Sequence, residues 1–349
     1  MEFFLGILLF SWFLTALSYL PFIRLLYRWR FQRLKQLTRD AFDKRTPIFD
    51  RFHQHKAGTP VGGGLLIILL TTILFPLSLL LMRYFWVPIT SVYPFVSEVK
   101  ILLFTFISFG ILGLVDDVNK TFTWVKKDFF GLRLRHKLLI EIVLAAIISY
   151  WLESELHIGI FHIPWVGVLH LSWLYIPFAT IVITAFANAF NITDGLDGLA
   201  TGILMICLAA FWIISASILD TPLSVFIALW IGGLLAFLYF NIYPARIFLG
   251  DVGALSFGAT LAVVGLILGK APALVVIGGV FVIEVASSLI QLLGKQFLGR
   301  KILPVAPVHL WLQHRGWQEP KIVMRFWIIS VVLAIFGLWL ALLTKPQPV

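Results

Sequence analysis

Residues 180–212 read TIVITAFANAFNITDGLDGLATGILMICLAAFW. Two apolar runs, 172–191 and 199–217, flank the short polar turn NITDGLDG at 191–198. A membrane-spanning helix needs roughly 20 consecutive apolar residues, and each run meets that length. A turn this short leaves two such helices antiparallel, with the turn at a membrane face. The same pattern repeats outward in both directions. Further apolar runs lie at about 3–27, 61–82, 99–117, 137–152, 223–240, 253–269, 271–293 and 323–344. The expected fold class is therefore all-α integral membrane, with about ten transmembrane helices in a single polytopic domain over 1–344. The tail 345–349, KPQPV, is expected to be disordered.

Composition supports this reading. The 349 residues are 60% hydrophobic and 13% charged, against about 45–50% apolar and about 25% charged in soluble domains. Cys207 is the only cysteine, which excludes an intramolecular disulfide and a thiolate zinc cage. It sits in an apolar run and reads as core packing. The first apolar run has no basic segment before it and no small-residue cleavage site after it, so it reads as a retained span.

The net charge of +10 is placed by loop rather than spread along the chain, so no nucleic-acid partner is expected. Segments 28–60, 116–136 and 294–322 are rich in Lys and Arg, whereas the loops on the opposite side carry little beyond Arg83, Lys100 and Lys270. By the positive-inside rule the basic segments are cytoplasmic and the N-terminus is extracytoplasmic. The segment 153–171, broken by Gly159, Pro164 and Gly167, reads as a small surface hairpin.

Of the 17 acidic residues, five fall in three glycine-flanked motifs. They are Asp116 and Asp117 in GLVDDVNK, Asp194 and Asp197 in NITDGLDG, and Asp251 in FLGDVG. The topology drawn from basic residues alone puts all three motifs on the cytoplasmic face. Carboxylates gathered at span ends suit a hard cation; singly, each could instead cap a helix. If 191–198 is helical, Asp194 and Asp197 share one face. Lys56 precedes the glycine-rich HKAGTPVGGG entry to a span, a helix N-terminus that suits phosphate; the plainer reading is a flexible loop. Asn188, Asn191 and Asn241 lie at span boundaries, where a side-chain amide serves structure or ligand. Glu141 and Glu284 interrupt apolar runs. Glu141 is placed to reach the basic loop, and Glu284 reads as a hydrogen-bonded structural group. His53, His55, His309 and His314 fall in cytoplasmic loops, where solvation is the ordinary state.

Together with NIYPARIFLGDVGALSFG and APVHLWLQHRGWQEPKIVMRFWIIS, these stretches resemble the polyprenyl-phosphate N-acetylhexosamine-1-phosphate transferase superfamily. Within it they are most similar to the phospho-N-acetylmuramoyl-pentapeptide transferases. The matching stretches run over about residues 53–330 in the family's order. The resemblance implies a ten-span fold, an active site in a cytoplasmic-face cleft of the cell membrane, a magnesium ion and a homodimer. It implies transfer of phospho-N-acetylmuramoyl-pentapeptide from its UDP conjugate to a polyprenyl (undecaprenyl) phosphate, with release of UMP, at the first membrane step of peptidoglycan synthesis.

The resemblance also implies residue roles. Asp116, Asp117 and Asp251 match the family's essential acids, with Asp251 as magnesium ligand and Asn191 near the metal. Lys56, Gly195, Leu196, Asp197, Asn241 and Phe248 match the uridine pocket. His309 matches the first of three loop histidines. Two departures stand out: Leu310 and Trp311 replace the other two histidines, and Val61 replaces a hydroxyl residue. They leave a related transferase for another donor, such as UDP-N-acetylglucosamine, as the alternative. A transporter is the rival from another class; it would place its acids near the bilayer midplane.

Overall fold

The computed structural model describes residues 2–32, 56–122, 134–163 and 167–343. The expectations for His53, His55 and the tail lie outside the described residues, as does most of the first basic segment. The protein is a multi-pass membrane protein. Nine described helices are long and apolar enough to cross a membrane. They are α1 (Glu2–Arg28), α2 (Gly63–Tyr84), α3 (Phe95–Thr121), α5 (Tyr175–Thr193), α6 (Leu199–Ser217), α7 (Thr221–Asn241), α8 (Gly250–Ile267), α10 (Gly279–Phe297) and α12 (Glu319–Leu342). The remaining expected span, 137–152, is α4 (Leu134–Ser154). Its 21 residues reach about 30 Å, but it carries Arg135, Lys137, Glu141 and Glu153. The expected continuous run 271–293 is broken at Gly278 into the short α9 (Ala271–Ile277) and α10. Another short helix, α11 (Val308–His314), precedes α12.

The expected hairpin forms: β1 (Ile160–Ile163) pairs antiparallel with β2 (Gly167–His170), Ile160 opposite His170.

Helix α8 is the axis. All 18 of its residues are buried, and it packs against α2, α3 and α5. In a bilayer, small residues let helix backbones meet closely. Here a Cβ on Gly64 would lie 2.4 Å from the Cα of Gly253, and one on Gly113 would lie 2.1 Å from the Asp251 carbonyl oxygen. Further along, Phe106 of α3, Trp230 of α7 and Phe257 of α8 form a ring cluster with centroids 5.3–5.6 Å apart. Such pairs contribute about 0.5–1.5 kcal/mol each beyond their burial. This packing fixes the ends of α3 and α8, and with them the acids those ends carry.

Candidate active site

The ends that carry the acidic motifs meet at one end of the bundle. The close approach of α3 to α8 at Gly113 lets the Asp117 Oδ2 accept the Val252 N–H at 3.0 Å, in the first turn of α8. That N–H is one of the donors a helix start leaves without an internal partner. Asp117 is therefore a cap supplied by a neighbouring helix, and it sets the turn that bears Asp251.

Asp116 and Asp251 share cations. Lys137 Nζ lies 3.0 Å from Asp116 Oδ2 and 2.8 Å from Asp251 Oδ2. Lys120 Nζ lies 2.9 and 2.7 Å from the same two atoms. Both carboxyl groups are nearly buried, where removing one partner of an ion pair costs about 3–5 kcal/mol. The adjacent acids thus do different work, since neighbouring helix positions point about 100° apart.

A second network adjoins the first. Lys56 Nζ donates to Asp197 Oδ1 and to Glu319 Oε1, both at 2.6 Å. Glu319 Oε1 also accepts the Asp197 N–H at 2.6 Å, and Asp197 Oδ2 accepts the Ala245 N–H at 2.9 Å. Asn241 accepts the Gly198 N–H and donates to the Ile247 carbonyl. Leu196 is buried, and Phe248 is half-buried against the core. His309 faces Gly195: an added Cβ there would lie 2.6 Å from Nε2.

Several expectations change. Residues 194–198 form a turn between α5 and α6 rather than a helix. Asp197 does not cap α6; it anchors Lys56 and Ala245. Asp194 is half-buried at the surface of the turn; desolvation, with Asp251, Asp197 and Asp117 nearby and against the pull of Lys56, pushes its carboxyl above the usual range. The glycine turn before α2 does not hold its first N–H groups open for phosphate. Gly63 N–H goes to the Phe248 carbonyl and Gly64 N–H to the Leu249 carbonyl, so the turn is a packing joint. Asn188 donates to Glu141 at 2.5 Å. Asn191 lies half-buried in the last turn of α5. Leu310 is buried, and the Arg315 guanidinium stacks on Trp311 at 4.3 Å. His314 is exposed at the far end of α11, whereas Gln313, one turn from His309, is buried with its amide oxygen unpaired among the described residues.

Three residues escaped the sequence reading. Lys120 was visible only as a topology marker, although it stands four residues after Asp116. Lys137 opens the expected span 137–152. Glu319 lay in a recognised stretch without a role.

Among the described residues no three His, Cys, Asp or Glu side chains form a metal cage. The donor chemistry nonetheless fits magnesium, which uses one or two carboxylates plus substrate phosphates. Asp116 and Asp251 converge on the same two ammonium groups, hence on each other, and present hard oxygens.

The chain is similar to known proteins along most of its length. The model of glycosyl transferase family 4 matches residues 99–269, which span α3 to α8. A phospho-N-acetylmuramoyl-pentapeptide-transferase of Acetivibrio thermocellus is 34% identical over 293 residues, 82% of each chain. Proteins of that name from Rickettsia felis and Rickettsia rickettsii are 38% identical over 309 and 311 residues, 82% of this chain and 80% of theirs. With that likeness along most of its length, and the acids of its matching motifs gathered at one end of the bundle, the chain belongs to the phospho-N-acetylmuramoyl-pentapeptide transferase family within glycosyl transferase family 4.

Proposed function

We propose that this phospho-sugar transferase moves phospho-N-acetylmuramoyl-pentapeptide from its UDP conjugate to a polyprenyl phosphate. The observation that carries the reading is the shared Lys120–Lys137–Asp116–Asp251 network beside the Lys56–Asp197–Glu319 network. Two anionic substrates must meet, so charge neutralisation dominates the barrier. Lys120 and Lys137 supply fixed positive charge to the phosphates. Asp251 and Asp116 would hold magnesium, with Asn191 nearby; when bound, the ion supplies further neutralisation of the diphosphate. Asp117 keeps the α8 turn, and so Asp251, in place.

In the reaction an oxygen of the lipid phosphate forms a bond to the sugar-linked phosphorus. The bond from that phosphorus to the bridging oxygen breaks, and UMP leaves with the oxygen. A phosphate monoester has a second pKa near 6, so the attacking group is mostly dianionic at neutral pH and needs little base catalysis. Lys56, Gly195, Leu196, Asp197, Asn241 and Phe248 make up the uridine pocket in this reading. The Phe248 ring stacks on the base, and the polar neighbours supply the uracil preference.

The same reading makes 1–344 one membrane domain with the N-terminus extracytoplasmic, the site cytoplasmic and the chain a homodimer. The basic loops support the orientation, and the resemblance supports the dimer. Arg300→Cys in intact cells tests the orientation: labelling from outside would reverse it. Light scattering in detergent tests the dimer.

The function is tested with purified protein, polyprenyl phosphate and a panel of UDP-sugars, reading UMP release with and without magnesium. Turnover of UDP-N-acetylmuramoyl-pentapeptide is expected. Activity with UDP-N-acetylglucosamine alone would move the protein to the neighbouring donor class.

A further inference from the structure

Glu284 lies within α10 and is fully buried, as is His309 on α11. The two come from separate helices, yet one carboxyl group grips both parts of His309. Oε1 accepts the His309 backbone N–H at 3.1 Å, and Oε2 lies 3.1 Å from Nδ1. The first contact caps an early N–H of the seven-residue α11, a donor the helix itself cannot satisfy. The second fixes the ring. With Glu284 as a carboxylate, which only accepts, the hydrogen of this contact sits on Nδ1. In the neutral imidazole Nε2 is then bare. That atom faces Gly195, in the turn that also bears Asp194 and Asp197, and only a glycine leaves it room there.

We propose that Glu284 is a positioning residue that holds His309 as the Nδ1–H tautomer, so that Nε2 serves as a hydrogen-bond acceptor for the donor substrate. A bare imidazole nitrogen repels phosphate oxygens and suits an N–H or O–H. Its partner is therefore a hydroxyl or amide of the sugar–peptide portion rather than the diphosphate. This rests on the donor reading given above. It also accounts for a single histidine serving this loop while Leu310 turns into the interior.

Glu284→Gln separates the two contacts. The Gln Oε1 still accepts the His309 N–H, so the helix cap survives. Its NH2 group now faces Nδ1 and can only donate, which moves the ring hydrogen to Nε2. The expected result is a donor KM raised about 10–100-fold, with kcat within about threefold and the unfolding midpoint close to wild type. In a His309→Ala background the same substitution should add nothing. Nitrogen-15 NMR of histidine-labelled protein without substrate, with His309→Ala to assign the signal, should show Nδ1–H in the wild type and Nε2–H in Glu284→Gln. An Nε2–H ring in the wild type, an unchanged KM, or an equal loss in the His309→Ala background would each overturn the proposal. Because the NMR arm needs no substrate, a wild-type enzyme that ignores the muramoyl donor would sink the donor reading while leaving the tautomer to be decided by its own spectrum.

Discussion

The two ends of the bundle both bury carboxyl groups, and they treat them oppositely. At the end that holds the acidic motifs, Asp116, Asp251 and Asp197 are each within 3.0 Å of a lysine ammonium. At the other end, Glu98 and Asp220 are fully buried close to each other. Their partners are the Ser91 hydroxyl and the Leu223 N–H. Two buried carboxyl groups side by side resist ionising together. Around it, Thr90 bonds Leu219 and Thr221, and Tyr93 bonds the Ile267 carbonyl. The pair ties α3 to the start of α7. At the far end the buried acids join helices, whereas at the site end they hold lysine charge.

The largest effect should follow loss of Asp251. Asp251→Ala is expected to reduce UMP release by about 10³-fold or more, on the scale of losing a principal electrostatic contact, while the protein still inserts in the membrane. Near-normal magnesium-dependent turnover would erase the distinction between the two ends.

Lys137→Met should come next. Removing one shared ammonium leaves Asp116 and Asp251 facing each other with less compensation. Turnover should fall about 10²-fold, and stability in detergent by about 3–5 kcal/mol. Adding Asp251→Asn should restore part of the stability and none of the activity. If the two stability losses simply add, the lysine does not balance that acid.

Asp194 offers a pH test inside the site. Its carboxyl is pushed up by burial and by neighbouring acids. A folded-state pKa above the unfolded one means that the folded form binds more protons between the two values. Stability is then present below the unfolded pKa of about 3.9 and is lost as pH rises towards the folded value. In metal-free protein, Asp194→Asn should therefore melt higher than wild type at pH 7.5, with the gap closing towards pH 4. A constant gap across that range would show that the charge of Asp194 is not what strains the turn.

Much of the fold was legible because lipid forces long apolar runs: ten runs read from sequence match α1–α8, the broken α9–α10 and α12. The break at Gly278 was not legible, since both sides are equally apolar. The acids were visible because a carboxylate is rare in such a chain. Their partners were not: Lys120 and Lys137 look like ordinary loop cations until α3, α4 and α8 meet. Asp117 reads like Asp116 in sequence, and only the close approach at Gly113 turns it into a cap. The glycine run before α2 misled for the converse reason, since its free N–H groups were claimed by carbonyls almost 190 residues away in sequence.

The smallest effect belongs to the far end. Burial pushes the Asp220 carboxyl up, so its contribution to stability also declines as pH rises through the raised value. Asp220→Asn keeps the side-chain oxygen that accepts the Leu223 N–H and leaves Glu98 as the one ionisable carboxyl of the pair. Turnover should stay within about twofold, because the substitution leaves the lysine-paired acids and their helix ends untouched. The unfolding midpoint should equal that of wild type near pH 5 and exceed it near pH 9, where both wild-type carboxyl groups are driven to ionise and two buried like charges repel. A tenfold loss of turnover in Asp220→Asn would mean that the carboxyl pair at this end is coupled to catalysis at the other, and that the two ends do not work separately in this fold.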